Sequence, residues 1–256
     1  MSQQRPLILV TNDDGISAKG IRTLFETVRE FGDVVIVAPD SPQSGMGHAI
    51  TIHHPLRLSP STLYGDITAL ACTGTPVDCV KLAIYEVIKR KPDLLVSGVN
   101  HGYNTATNVL YSGTMSAAVE GAMEGIPSIG FSLGAYEADA DFSGTVEVIR
   151  SVVKEVLDKG MQEGVCFNVN IPPLSQGPAK GIKVCRQAHA YWADRFESRQ
   201  DQFGKPYYWL SGDFEDQEPA NDTDLHWIDK GYATVVPTQF DLTSYSAIKE
   251  LENWEL

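Results

Sequence analysis

Three scarcities narrow what this chain can be. Cysteine is the first: 256 residues carry 4 cysteines, namely Cys72, Cys79, Cys166 and Cys185, with no C-x-x-C spacing among them. A disulfide scaffold or a zinc knuckle needs closely paired cysteines, so neither fits. These four lie in apolar or strand-like stretches and read as buried, reduced thiols. Positive charge is the second. Lys and Arg number 20 against 33 Asp and Glu, a net charge of −13, and no basic cluster stands out, so a groove for long nucleic acid is excluded. Long apolar runs are the third. No stretch approaches a membrane span, and the N-terminus shows no basic segment followed by an apolar run. A soluble, cytoplasmic protein with no membrane partner is the expectation. Internal repeats and low-complexity tracts are also missing, as is the G-x-x-x-x-G-K-[ST] signature of P-loop chemistry.

What is present is a core. The chain is 43% hydrophobic, enough to fill one domain, or one domain with an appendage. "LILVT" (7–11), "DVVIVA" (33–38), "DLLVSGV" (93–99) and "PSIGFS" (127–132) are short, nearly continuous apolar runs. Helical spacing separates them, over 18–31 and 76–90. Buried strands alternating with helices predict an α/β fold with a parallel sheet covered on both faces. "AITIHHPLRL" and "TLYGDITALACTG" alternate apolar and polar residues and predict an antiparallel pair. "GVCFNVNIP" and "GIKVCRQA" read as further strands. From Tyr191 to Asp229 runs an aromatic and acidic region, which reads either as a solvated acidic face or as a protruding arm or hairpin that packs on a partner. The expected division is a catalytic core over 1–190 and a C-terminal, β-rich extension over 191–256.

In an open parallel sheet, ligands sit beyond the carboxyl ends of the strands. Four polar loops fall there: "TNDDG", "APDSPQSGMGH", "SGVNHGYN" and "YSGTMSAA". Asp13 and Asp14 are adjacent acids at the tip of the first strand. Like charges there repel and lose solvation, and a shared hard cation such as Mg²⁺ or Mn²⁺ compensates them. Asp-Gly also makes a turn, and one acid can cap the next helix. Ser112 and Thr114 open a helix of small residues whose first N–H groups and dipole suit a phosphate, and equally form an ordinary cap. Asn100 leaves a buried strand with an amide oxygen that can serve as a neutral metal ligand. His48 sits where a loop re-enters a strand, placed to touch substrate or water. "GMGHAI" imitates part of a dinucleotide fingerprint, but it lacks the third glycine and follows the wrong strand. "NDDG" lacks the Asp-x-Asp spacing of aspartyl-phosphate chemistry.

Taken in order, "ILVTNDDG", "VAPDSPQSGMGHAIT", "CTGTPVDCVKLA" and "SGVNHGYN...YSGTMSAAVEGAMEGIPSIGFS" resemble the SurE family, stationary-phase survival proteins that are metal-dependent 5′/3′-nucleotidases. The resemblance continues through "FGKPYYW" and "GYATVVPTQFDLT". It implies a Rossmann-like core and a phosphomonoesterase acting on nucleoside monophosphates, in some members also on short polyphosphate. It further implies a homodimer or homotetramer with an exchanged C-terminal arm. By the same resemblance the metal ligands fall on Asp13, Asp14, Ser44 and Asn100, and the phosphate-binding residues on Asn12, Ser112, Gly113 and Thr114. Positions 106 and 108 hold Ala and Asn where the family often has Gly and Asp. The expected mechanism is metal-assisted hydrolysis without a covalent intermediate, either aspartate being able to orient the attacking water. Two readings compete with it: a regulatory module that senses a mononucleotide without hydrolysing it, and a nucleotide-sugar transferase, for which no acceptor-binding half is apparent.

Overall fold

The computed structural model describes residues 5–255. It begins with β1 (Leu7–Thr11), whose five residues are all buried. A strand with no exposed face needs cover above and below, and the pattern of its side chains assigns that cover. Ile8 and Val10 pack in the cluster that holds α1 (Lys19–Val28), whereas Leu9 points into a second cluster on the other side of the sheet. Side-chain alternation along a strand thus places a helical layer on each face.

The chain continues through β2 (Asp33–Pro39), β3 (Leu58–Pro60) and β4 (Ala69–Cys72) to α2 (Pro76–Leu82). Thr75 and Asp78 form a reciprocal capping box ahead of α2, with Pro76 in the first turn, the residue type that loses least there. The helix runs on through wider, π-type turns over 83–88. Then come β5 (Leu94–His101), a 3₁₀ turn over 106–110, α3 (Gly113–Met123), β6 (Ser128–Leu133), α4 (Val146–Lys159) and β7 (Val165–Ile171). The remainder is β8 (Ile182–Val184), β9 (Ala190–Gln200), β10 (Pro206–Asp216), α5 (Asp224–Asp229), β11 (Ala233–Gln239) and α6 (Tyr245–Leu251).

Among the described residues nine strands make one sheet in the order β3-β4-β2-β1-β5-β6-β7-β11-β8. From β4 to β7 all neighbours are parallel, while β3 and β11 pair antiparallel with β4 and β7. The order reverses at β1, with β2 on one side and β5 on the other, so the crevice at the carboxyl ends of β1 and β5 is the switch point of the fold. Among the described residues no helix is long and apolar enough to cross a membrane.

The α/β reading of the sequence holds, with three differences in detail. Residues 49–57 form no strand, and the antiparallel pair is confined to β3 and β4. Side chains take the place of a ladder there: the Thr51 N–H donates to Asp78 at 3.0 Å and the Arg57 N–H to Thr73 at 3.0 Å. Helix α4 is not among the helices assigned above, although Val148, Ile149, Val152, Val153 and Val156 line its buried face. Within 191–256, β11 lies inside the main sheet, whereas β9 and β10 form a separate two-stranded hairpin and α6 buries no residue. The four cysteines are free thiols, three of them buried.

Candidate functional site

Three polar residues leave the end of β1. Asn12 is completely buried, and its amide nitrogen donates to the Gly15 carbonyl at 2.9 Å. That bond closes a tight turn in which Gly15 has φ +96, a conformation that favours glycine. Among the described residues the buried Asn12 amide oxygen has no partner, a rare and costly state for a polar atom. Asp13 is 4% exposed and accepts a hydrogen bond from the Thr114 hydroxyl. Asp14 accepts the His101 backbone N–H at 3.3 Å. Burial pushes the Asp13 carboxyl up to about 6, opposed by the Thr114 bond and reinforced by the charge of Asp14. Burial also raises Asp14, opposed by the His101 N–H. Two neighbouring carboxylates are therefore held where water compensates them poorly.

Opposite them stands the N-terminus of α3. Ser112 caps it, accepting the Met115 N–H at 3.0 Å. Gly113 is required by proximity: a Cβ there would lie 2.7 Å from the Asp13 Cβ. Glycine lets the first turn of the helix rest against the carboxylate, with Thr114 bonded to it. The first-turn N–H groups and the positive end of the helix dipole thus meet the acids at one point.

Two more loops close around that point. The Gln43 N–H donates to the Asp13 carbonyl at 2.7 Å, which draws the loop after β2 against the end of β1 and brings Ser44, an exposed residue, to the same rim. From β5, the Asn100 amide nitrogen donates to the carbonyls of His101 and Gly102, both at 3.0 Å. Its donors are thereby used, and its oxygen is the end left for a ligand. A buried network immobilises the rest of this loop. The Asn104 N–H donates to Asn170 at 2.8 Å, its side chain donates to Ser132 at 2.8 Å, and Asn168 donates to the Asn104 carbonyl at 2.8 Å. The Asp224 carboxylate accepts the N–H groups of Ala106 and Ala188, each at 2.9 Å. Ala106 sits at φ +50, a backbone conformation that favours glycine.

His48 faces Glu120. Its Nε2 lies 2.9 Å from Glu120, a residue 2% exposed on α3 that also receives Lys81 at 2.5 Å. Glu120, Asp78, Asp224 and the Asn168/Asn170 pair are residues that the reading of the sequence did not single out. A charge in the small-residue run "SAAVEGAM" and asparagines alternating along "NVNIP" were the available signals. Among the described residues no group of three or more His, Cys, Asp and Glu gathers as a metal site, so a cation here has two carboxylates and otherwise neutral oxygens to bind.

Comparison with known proteins identifies the family. The chain is 54% identical over 258 residues to a protein of Christiangramia forsetii named 5′-nucleotidase SurE, covering 100% of this chain and 99% of the relative. It is 55% identical over 253 residues to the protein of the same name from Flavobacterium psychrophilum, covering 98% of each. The crystal structure of the SurE protein from Aquifex aeolicus superposes with a TM-score of 0.84 at 38% identity, over 96% of this chain and 98% of that one. The family model described as Survival protein SurE matches residues 8–194. With the family model matched over most of the chain and relatives more than half identical along its whole length, this protein belongs to the SurE family.

Proposed function

We propose that the protein is a metal-dependent 5′-nucleotidase, hydrolysing nucleoside monophosphates to nucleoside and phosphate. One observation carries the reading: the Asp13 carboxylate and the N-terminal turn of α3 are in contact, through Thr114 and across Gly113. A cation site and a phosphate cradle therefore share one point, in a chain similar over its full length to proteins named 5′-nucleotidase.

The donor set fits a hard divalent cation. Burial works against charge on Asp13, and the ligands on offer are all oxygens, which suits Mg²⁺ or Mn²⁺. Asp13, Asp14, Ser44 and Asn100 would hold it. When bound, such a cation lowers the pKa of water and neutralises charge on a phosphoryl oxygen. The rest falls to the chain's own groups. Asn12, Ser112, Gly113 and Thr114 receive the phosphate at the helix N-terminus, where N–H groups already point the right way and need no reorganisation as charge develops. Water supplies the oxygen that bonds to phosphorus, the ester P–O bond breaks, and the nucleoside leaves with a proton on its oxygen. An aspartate not needed to balance the cation can orient that water. For His48 the geometry supports holding the loop of Ser44 through Glu120. Nucleoside 3′-monophosphates and short polyphosphate end in the same group and belong to the substrate class.

We extend the reading to assembly and place. In the hairpin register, Phe196 and Tyr208 share one face, 68% and 61% exposed. On α6, Tyr245, Ile248 and Leu251 follow one another at helical spacing and are exposed. A cavity of about 810 Å³ beside α3 is lined by Val119, Met123, Val184, Val236 and Leu242. Exposed apolar surface on this scale marks a partner, and a second copy exchanging its C-terminal arm, in a dimer or tetramer, is the occupant proposed. The cytoplasm is the compartment proposed.

The test is phosphate release from AMP and GMP with Mn²⁺ or Mg²⁺, with and without EDTA. Release that EDTA abolishes is expected. Nucleotide recovered intact after hours with both metals would overturn the reading in favour of a sensor that does not hydrolyse.

A further inference from the structure

Beside the phosphate cradle, an aromatic cavity remains without a role. It has a volume of about 500 Å³, and Thr107, Tyr111, Tyr191, Trp192, Asp194 and Leu210 line it. Three of these are aromatic, and they come from two elements far apart in sequence: the turn that precedes α3 and the base of the β9–β10 hairpin. That volume is in the range of small-molecule sites, which combine apolar walls with a few placed polar groups.

The cavity is built rather than incidental. The Trp192 indole N–H donates to the Asn108 side chain at 2.9 Å, and the Thr107 hydroxyl donates to the Ala190 carbonyl at 2.7 Å. Trp192 also packs on Phe214 with ring centroids 5.5 Å apart. These contacts hold the hairpin base on the turn. Tyr111 is treated differently. Its backbone is pinned at both ends, the N–H to the Asn108 carbonyl at 3.1 Å and the carbonyl to the Gly47 N–H at 3.2 Å, yet its side chain is 63% exposed. A fixed backbone presenting a free ring is a preorganised stacking platform.

Its position selects the occupant. Tyr111 is bonded to Ser112, the cap of α3, so the platform begins one residue from the proposed phosphate site. A group joined covalently to a phosphate at that cap would have this cavity as its neighbour, through Tyr111. Asp194 makes the lining acidic, which opposes a second phosphate there and suits hydroxyl and amino donors. We infer that Tyr111, with Trp192 behind it, forms the nucleoside subsite of the enzyme and takes the base by its faces. Every base has such a face, so the subsite tolerates different bases, and stacking of this kind changes affinity by about ten- to a hundredfold per base. The inference rests on the phosphatase reading for its substrate but makes a separate claim about where the base lies.

The discriminating quantity is the ratio of kcat/KM for AMP to that for ribose 5-phosphate, which keeps the phosphate and sugar and lacks the base. In wild type the ratio should be well above one. Tyr111→Ala and Tyr111→Leu should each lower it about tenfold or more, whereas Tyr111→Phe, which keeps the ring, should hold it within about twofold. A ratio that Tyr111→Ala leaves unchanged, or a wild-type ratio near one, would overturn the subsite while leaving the phosphatase reading standing. If neither ester is hydrolysed, the phosphatase reading fails, and tryptophan quenching by adenosine reads the subsite independently. Quenching present in wild type and lost in Tyr111→Ala supports it, and equal quenching in both, or none in either, removes it.

Discussion

The rim of β1 and the β9–β10 hairpin break the same rule in opposite directions. At the rim, Asn12 and Asp13 are polar and almost wholly buried. On the hairpin, Phe196 and Tyr208 are apolar and mostly exposed. Burying an acid costs solvation, and exposing an aromatic forfeits the gain of burial. Each region is thus poorly satisfied within a single chain, and the occupants proposed above, a cation and phosphate at the rim and another copy at the hairpin, would each answer one mismatch. The kind of mismatch tells the kind of partner.

The sharpest way to break this comparison is to remove the charge at the rim without changing its shape. Asp13→Asn should lower kcat/KM for AMP on the order of 10³-fold. The same variant should melt no lower than wild type in EDTA, because the amide removes the burial penalty that pushes Asp13 up to about 6. A lower melting temperature there would show that Asp13 serves the fold instead. Gly113→Ala comes next. A methyl 2.7 Å from the Asp13 Cβ must displace the carboxylate or the helix, and misplacement of that size costs about 10²-fold in activity. Wild-type turnover in this variant would refute the close approach as a functional constraint. On the hairpin, Phe196→Ser should weaken self-association about tenfold, judged by light scattering across a dilution series, for the apolar area withdrawn. An unchanged mass at every dilution would take that face out of the interface.

The smallest expected effect is one of pH. The folded-state pKa of Asp13 is raised from 3.8 to about 6, so the native state holds its proton more tightly than the unfolded chain. The associated stability is fully present below 3.8 and is lost as pH rises through about 6. The proposed cation would take over the proton's role above that window. The rise in Tm on adding Mn²⁺ should therefore be larger at pH 7.5 than at pH 5, by a few degrees (about 2–4 °C per kcal/mol in a chain of this size). Equal shifts at the two pH values would indicate that Mn²⁺ binds away from Asp13.

Much of the rim was readable beforehand because its residues follow local signals. Asp13 and Asp14 come straight off an apolar strand, and "SGT" opens a run of small helical residues, so each loop could be assigned to the carboxyl edge of a parallel sheet. The residues that went unnoticed are those whose partners are distant. Glu120 meets His48 across 72 positions, Asp224 meets Ala106 across 118, and Asn168 meets Asn104 across 64. Nothing within a helical or strand-length window announces such pairs. The error at 49–57 has the same origin, since its alternation is real but no neighbouring strand is there to pair with it.

Periodicity and composition, both local properties, by themselves determined that this protein would be an α/β sheet with acids at the tip of its first strand and a low content of positive charge. The tertiary structure alone decided what those acids experience. It set Thr114 against Asp13 across 101 positions and removed water from both. It also brought Tyr111 and Trp192 into the lining of one cavity. Burial and long-range contact are sums over the whole folded chain, and that is the physical reason the charge of Asp13 can be read from the sequence while its pKa cannot.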